Sequence, residues 1–303
     1  MNRIGLTLTT ALAPMAWGTT YLVTSELLPA GHPLLASLLR SLPAGLLALL
    51  FARRLPHGSW WAKAFVLGGL NIGAFFPLLF LAAERLPGGV AAAVAGAQPL
   101  IVLVLGALVL GERIRPLTAA AAVVGAGGVA LVVLGPAAAL DLWGVLAALG
   151  GVTATGIGMI LTKRWGRPVG VGPVAYAGWQ LSAGGLLLLP LTLAVEGLPP
   201  VIDAEAALGY LWLATAGGLV AYTLWFRGIQ RLPVVAPGLL ALLSPVVATV
   251  LGVLVAGERF SVLQAAGIAL TLVALLGGQL ASWPRRRSAA ALIEPSAAPV
   301  PAR

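Results

Sequence analysis

Few side chains in this 303-residue sequence are placed to make or break a covalent bond. The two histidines, His32 and His57, lie at the edges of apolar segments, so neither a histidine metal cluster nor a Ser–His pair is supported. The nine carboxylates also fall at segment ends or outside them, and cysteine is absent, which removes disulfides and thiolate metal sites. The stretch Gly125 to Ala130 (GAGGVA) formally fits a dinucleotide-binding fingerprint. That fingerprint works only at a strand–turn–helix junction, and here it interrupts an apolar run. No catalytic residue, metal or cofactor is implied.

What the apolar segments do contain is chemistry for holding a neutral or zwitterionic small molecule. Trp17, Tyr21, Phe75 and Tyr222 offer aromatic walls, and Asn71, Gln98 and Ser244 offer hydrogen bonds. Thr153, Thr155 and Met159 form a further set on one glycine-rich segment. Each has a plainer reading as helix packing, since small and hydroxyl residues also drive helices together in lipid. Asn71 is the one asparagine inside an apolar segment, and its amide costs free energy unless it finds a partner. Arg40 is a charge within a segment, ordinarily a functional sign. Its position equally fits snorkelling outward or locking loops through Glu84, and the structural role is favoured. Glu112 and Glu258, beside glycine stops, read as caps. With no acid in mid-segment to carry a proton or neutralise a cationic drug, a cation/proton antiporter is disfavoured.

The elements that must position these residues follow from composition. The sequence is 60% hydrophobic and 9% charged, with a mean hydropathy of +1.02. Ordinary soluble domains are about 25% charged. About 20 apolar residues cross a bilayer core, and ten such segments are expected, near 6–26, 33–51, 61–82, 87–110, 117–134, 143–161, 173–193, 206–226, 233–256 and 261–282. The net charge of +9 follows topology rather than nucleic-acid binding: with the N-terminus inside, 15 of the 18 basic residues fall in inner segments. The positive-inside rule then puts both termini in the cytoplasm. Residues 284–303 are expected to be a disordered tail.

Residues 85–113 and 231–259 align without a gap at an offset of 146, with 13 of 29 positions identical. The matches include Pro87 with Pro233, Pro99 with Pro245, Gly106 with Gly252, and the Gly-Glu-Arg triplets at 111–113 and 257–259. This is an internal duplication. At an offset of 140, Pro33 also meets Pro173 and Arg40 meets Gln180. Five spans per half is an odd number, so the halves, 1–135 and 136–283, are expected to lie upside down relative to one another. Such inverted repeats suit alternating access, with the binding site where the halves face each other. Pro14, Pro99, Pro237 and Pro245 are the expected hinges or helix breaks.

The chain resembles the EamA family of the drug/metabolite transporter superfamily. The resemblance spans residues 3–283 and is carried by Pro99 with Gly111-Glu112, Pro245 with Gly257-Glu258, Arg40, and Trp179-Gln180. It implies a bacterial inner-membrane carrier with a cavity lined by helices 1, 3, 4, 6, 8 and 9, usually exporting its substrate. Amino-acid exporters, including those for aromatic amino acids, are most similar in organisation. Other metabolites or drugs are the alternative substrates, and a passive channel or structural subunit is the alternative role. The sequence does not distinguish a monomer from a homodimer.

Overall fold

The structure, a computed structural model, describes residues 3–29, 31–85, 97–133, 141–197, 201–256 and 262–281. Among them every regular element is helical. The first half contributes α1 (Arg3–Leu27), α2 (Pro33–Ala52), α3 (Trp60–Gly68), α4 (Phe75–Arg85), α5 (Gln98–Leu110) and α6 (Pro116–Val133). The second contributes α7 (Leu142–Trp165), α8 (Pro173–Val195), α9 (Ala204–Ala214), α10 (Ala221–Arg231), α11 (Val235–Leu240), α12 (Leu243–Ala256) and α13 (Val262–Ala281). Among the described residues, five helices are long and apolar enough to cross a membrane: Pro33–Ala52, Trp60–Leu79, Leu142–Trp165, Pro173–Val195 and Ala204–Arg231. Gln98–Leu110, Pro116–Leu131 and Ala265–Gly278 are shorter apolar helices. This is a polytopic all-α membrane protein.

Carboxylates start several helices, as helix N-termini favour anions. Asp141 accepts from Gly144 N at 2.7 Å and Asp203 from Ala206 N at 2.8 Å. Glu196 instead caps a helix of the other half, accepting from Leu34 N and Leu35 N at 2.7 and 2.9 Å, while Pro33 occupies the first turn of α2. Glu112 likewise acts across the halves: it follows Gly111, whose φ of +66° ends α5, and accepts from Val234 N at 3.4 Å. Glu196→Ala should therefore lower stability by about 0.5–2 kcal/mol, as loss of an N-cap does. Thermal unfolding of the detergent-purified protein checks this, and an unchanged melting temperature would contradict it.

Two distortions of the backbone recur at the spacing of the sequence repeat. Between α3 and α4 the helix widens into a π turn at Gly69–Ala74, and between α9 and α10 into another at Thr215–Val220. Their starts are separated by the same offset that aligns residues 85–113 with 231–259. Related helices also pack on each other, α2 on α8 and α6 on α13. In the first pair Gly45 abuts Ser182, Gly178 abuts Ala48 and Gly185 abuts Leu42. In the second, Gly128 abuts Thr271, Gly125 abuts Ala274 and Gly278 abuts Ala121. Residue numbers rise along one helix as they fall along its partner, so both pairs are antiparallel. Glycine permits this closeness: a Cβ on Gly45 would lie 2.4 Å from Ser182 N.

The prolines behave unequally. Pro245 has no N–H to return to the Ala241 carbonyl, which instead takes Ser244 N at 3.1 Å, and the turn Ala241-Leu242 separates α11 from α12. Pro237 lies within α11, and its carbonyl accepts from Ala241 N at 3.0 Å. Pro99 opens α5 and is buried. The break expected at Pro14 does not occur, because α1 runs unbroken from Arg3 to Leu27, held by packing against α10 and α12. Gly257-Glu258 and the tail lie outside the described residues.

Candidate functional site

A π turn shifts the backbone register and leaves carbonyls that the helix does not fully use. The Gly217 carbonyl in the second π turn accepts from Trp17 Nε1 at 3.0 Å and from Arg40 Nη2 at 3.3 Å. Arg40 also reaches Thr20 Oγ1 at 3.5 Å and lies 5.3 Å from the centre of the Phe76 ring. It is only 7% exposed. In place of the outward or loop-locking arrangement expected from sequence, the guanidinium turns inward to this carbonyl. The Glu84 side chain lies outside the described residues.

Asn71 occupies the corresponding place in the first π turn, being the duplication partner of Gly217. Its Nδ2 donates to Gln180 Oε1 at 2.9 Å, and Gln180 is the partner of Arg40. The same junction is therefore built twice, once from a guanidinium on a backbone carbonyl and once from two amides. Gly18 abuts Val247 where Gly156 abuts Ile101, and Val247 is the duplication partner of Ile101. That register sets Trp17 opposite Thr155 in role, and Thr20 opposite Gly158. Gly158 has no side chain because the Asn71 amide fills its place. A Cβ there would lie 2.2 Å from Asn71 Oδ1. Gly217 leaves the corresponding space for Arg40.

Two groups of expected site residues come together around these junctions. Trp17 contacts Tyr222 and Trp225, with ring centres 5.1 and 5.0 Å apart. The aromatic contacts continue from Tyr222 to Phe226, and from Phe226 to Tyr176. In the second group Gln98 Nε2 donates to Thr155 Oγ1 at 3.1 Å and lies 3.7 Å from Met159 Sδ. Thr155 in turn bonds back to Val152 O, 3.1 Å away. Phe75 packs against Gly151 on α7 and against Phe76. Ser244, half-buried, approaches α1 through its carbonyl beside Gly18. Thr153 is half-buried and, two residues from Thr155, points about 160° away from it around the helix. Tyr21 lies in α1, but its side chain is outside the described residues, as is that of Pro245.

Trp225 and Phe226 were not legible as site residues, although they follow Tyr222 at the i+3 and i+4 spacing of one helix face. Gly217 had no signal beyond its alignment with Asn71. Beyond Trp17, Gly209 on α9 packs against Leu27 and Leu28, and Trp212 Nε1 donates to Thr19 Oγ1 at 2.9 Å. Among the described residues no group of three His, Cys, Asp or Glu side chains is placed to hold a metal.

Comparison with known proteins places these features in context. The model of the EamA-like transporter family matches twice, over residues 4–134 and 142–277. Protein PecM of Dickeya dadantii is 44% identical over 264 residues, covering 87% of this chain and 89% of that protein. The uncharacterized inner membrane transporter YedA of Escherichia coli K12 is 28% identical over 269 residues, covering 86% of each. A solved crystal structure superimposes with a TM-score of 0.79 at 25% identity, covering 93% of this chain and 98% of the other.

Proposed function

The chain belongs to the EamA-like transporter family, and from that premise we propose that it is a secondary carrier exporting neutral or zwitterionic metabolites, most of all aromatic and large neutral amino acids. The proposed architecture is ten spans in two inverted halves, 1–135 and 136–283, in a bacterial inner membrane with both termini cytoplasmic. The observation that carries the reading is the pair of matched junctions, Arg40–Gly217 and Asn71–Gln180, joining one half's π turn to the other half's second helix. Antiparallel α2–α8 and α6–α13 pairs support opposite orientations of the halves. Equivalent contacts on either side of a pseudo-two-fold axis give inward- and outward-facing arrangements comparable energies, which alternating access requires.

The substrate would lie between Trp17 and Tyr222 on one side and Gln98, Thr155 and Met159 on the other. Rings suit an apolar side chain, and the amide and hydroxyl groups suit a polar head. Asn71, Phe75, Thr153, Tyr21 and Ser244 complete the proposed lining, with Pro99, Pro237 and Pro245 as the proposed hinges of the fourth helices. Counterflow in proteoliposomes tests the reading. Vesicles loaded with single unlabelled amino acids are challenged with labelled tryptophan, with and without a pH gradient. Saturable uptake strongest with aromatic and large neutral amino acids is expected. No exchange with any amino acid would remove that substrate class, and flux that never saturates would point to a channel.

A further inference from the structure

The basic end of the molecule holds a cavity of about 620 Å³ to which both halves contribute. The first half supplies Arg3, Arg113 and Arg115, and the second supplies Lys163 and Arg231. Glu112 is the one carboxylate in the lining, and it is already engaged by Val234 N. Topology requires basic residues on this side of the membrane, but it does not require them to converge on one cavity from both halves. Convergence has a cost. Burial, then the Arg115 charge, lowers the Arg3 pKa, and just outside the cavity burial followed by Arg231 and Arg227 lowers that of Arg167. Lys163 Nζ donates to the Leu232 carbonyl, which holds its charge at the cavity wall in this structure. Beside these cations, Leu103, Pro233 and Val235 give the cavity an apolar wall. A volume of this size holds a ligand of drug-like dimensions.

We propose that this cavity is an anion-binding vestibule that takes the carboxylate or phosphate of an amphiphilic molecule, with its apolar part against Leu103, Pro233 and Val235. The source of the anion is either the transported solute, approaching carboxylate first, or an anionic lipid headgroup. The link to transport rests on the carrier reading above; the binding itself does not. An anion here offsets the repulsion between the two sets of cations, and so favours the arrangement in which the halves bring them together.

The test is equilibrium binding to the purified full chain in nanodiscs of phosphatidylcholine. N-acetyltryptophan, inorganic phosphate and tryptamine are each titrated at constant ionic strength set with sodium chloride, reading the shift in melting temperature. Three proteins are compared: the parent chain, Arg113→Gln/Arg231→Gln, and Arg164→Gln, whose exposed side chain is outside the cavity lining. Both replaced arginines of the double variant are exposed, so the fold should tolerate them, and its melting temperature without ligand checks this. The parent and Arg164→Gln are expected to bind both anions saturably and not tryptamine. The double variant should bind at least about tenfold more weakly, since charge-assisted hydrogen bonds are lost. Equal binding in all three proteins, an equal loss in Arg164→Gln, or no binding beyond that of chloride would overturn the proposal. Nanodiscs containing phosphatidylglycerol separate the sources. If that lipid blocks phosphate binding in the parent chain the headgroup is the occupant, and if it does not the soluble anion is. None of these readings involves transport, so a silent counterflow assay would leave the binding result standing.

Discussion

Gly158→Thr should be among the most damaging single substitutions in the chain. The new Cβ would lie 2.2 Å from Asn71 Oδ1 and 2.6 Å from its Cγ. Overpacking of this kind costs about 1–3 kcal/mol. Asn71 cannot retreat without giving up its 2.9 Å bond to Gln180, and a stranded buried amide adds about 1–3 kcal/mol more. The other half shows how the strain could be relieved, because there the pair at the matching positions is Thr20 and Gly217. Adding Asn71→Gly to Gly158→Thr should therefore recover a large part of the lost stability, as measured by thermal unfolding in detergent. A double variant no better than the sum of its parts would show that the two junctions are not equivalent.

Trp17→Ala carries the second large effect. The indole touches the rings of Tyr222 and Trp225 and donates to the Gly217 carbonyl. Truncating a large aromatic in a packed site costs about 3–5 kcal/mol. Trp17→Phe keeps most of the ring contact and drops the hydrogen bond, a loss of about 1 kcal/mol. The comparison separates packing from recognition. In counterflow, Trp17→Phe should raise the KM for tryptophan more than it lowers melting temperature, whereas Trp17→Ala should impair both. Full transport by Trp17→Ala would remove Trp17 from the substrate path.

Much of this arrangement was readable from sequence, for physical reasons that differ by residue. Apolar runs and the aligned Pro99 and Pro245 announce membrane helices and a duplication, since the bilayer tolerates few alternatives. Asn71 stood out because an amide among apolar residues must find a partner, and it finds Gln180. Capping by Glu112 was anticipated in kind, but not that it would serve Val234 on a distant helix. The π turns left no mark, because Gly69–Ala74 (GLNIGA) and Thr215–Val220 (TAGGLV) share no motif that sets them apart from ordinary membrane helix. Without them the inward turn of Arg40 had no visible destination: a backbone carbonyl is an acceptor that every residue carries. At Pro14 the proline is conspicuous in sequence, whereas the packing that accompanies its unbroken helix is not.

In the proposed mechanism the two halves rock against each other about the matched junctions. Because the chain contains no cysteine, two introduced thiols are enough to place a pair of spin labels. One pair, Arg113→Cys with Arg231→Cys, spans the basic mouth, and another, Leu28→Cys with Leu208→Cys, joins the two halves at the opposite end. Pulsed electron–electron distance measurements in nanodiscs should give two populations for each pair. Conditions that lengthen the distance at one mouth should shorten it at the other. A single narrow distance at both ends, unmoved by any amino acid that the carrier exchanges, would contradict alternating access between the halves.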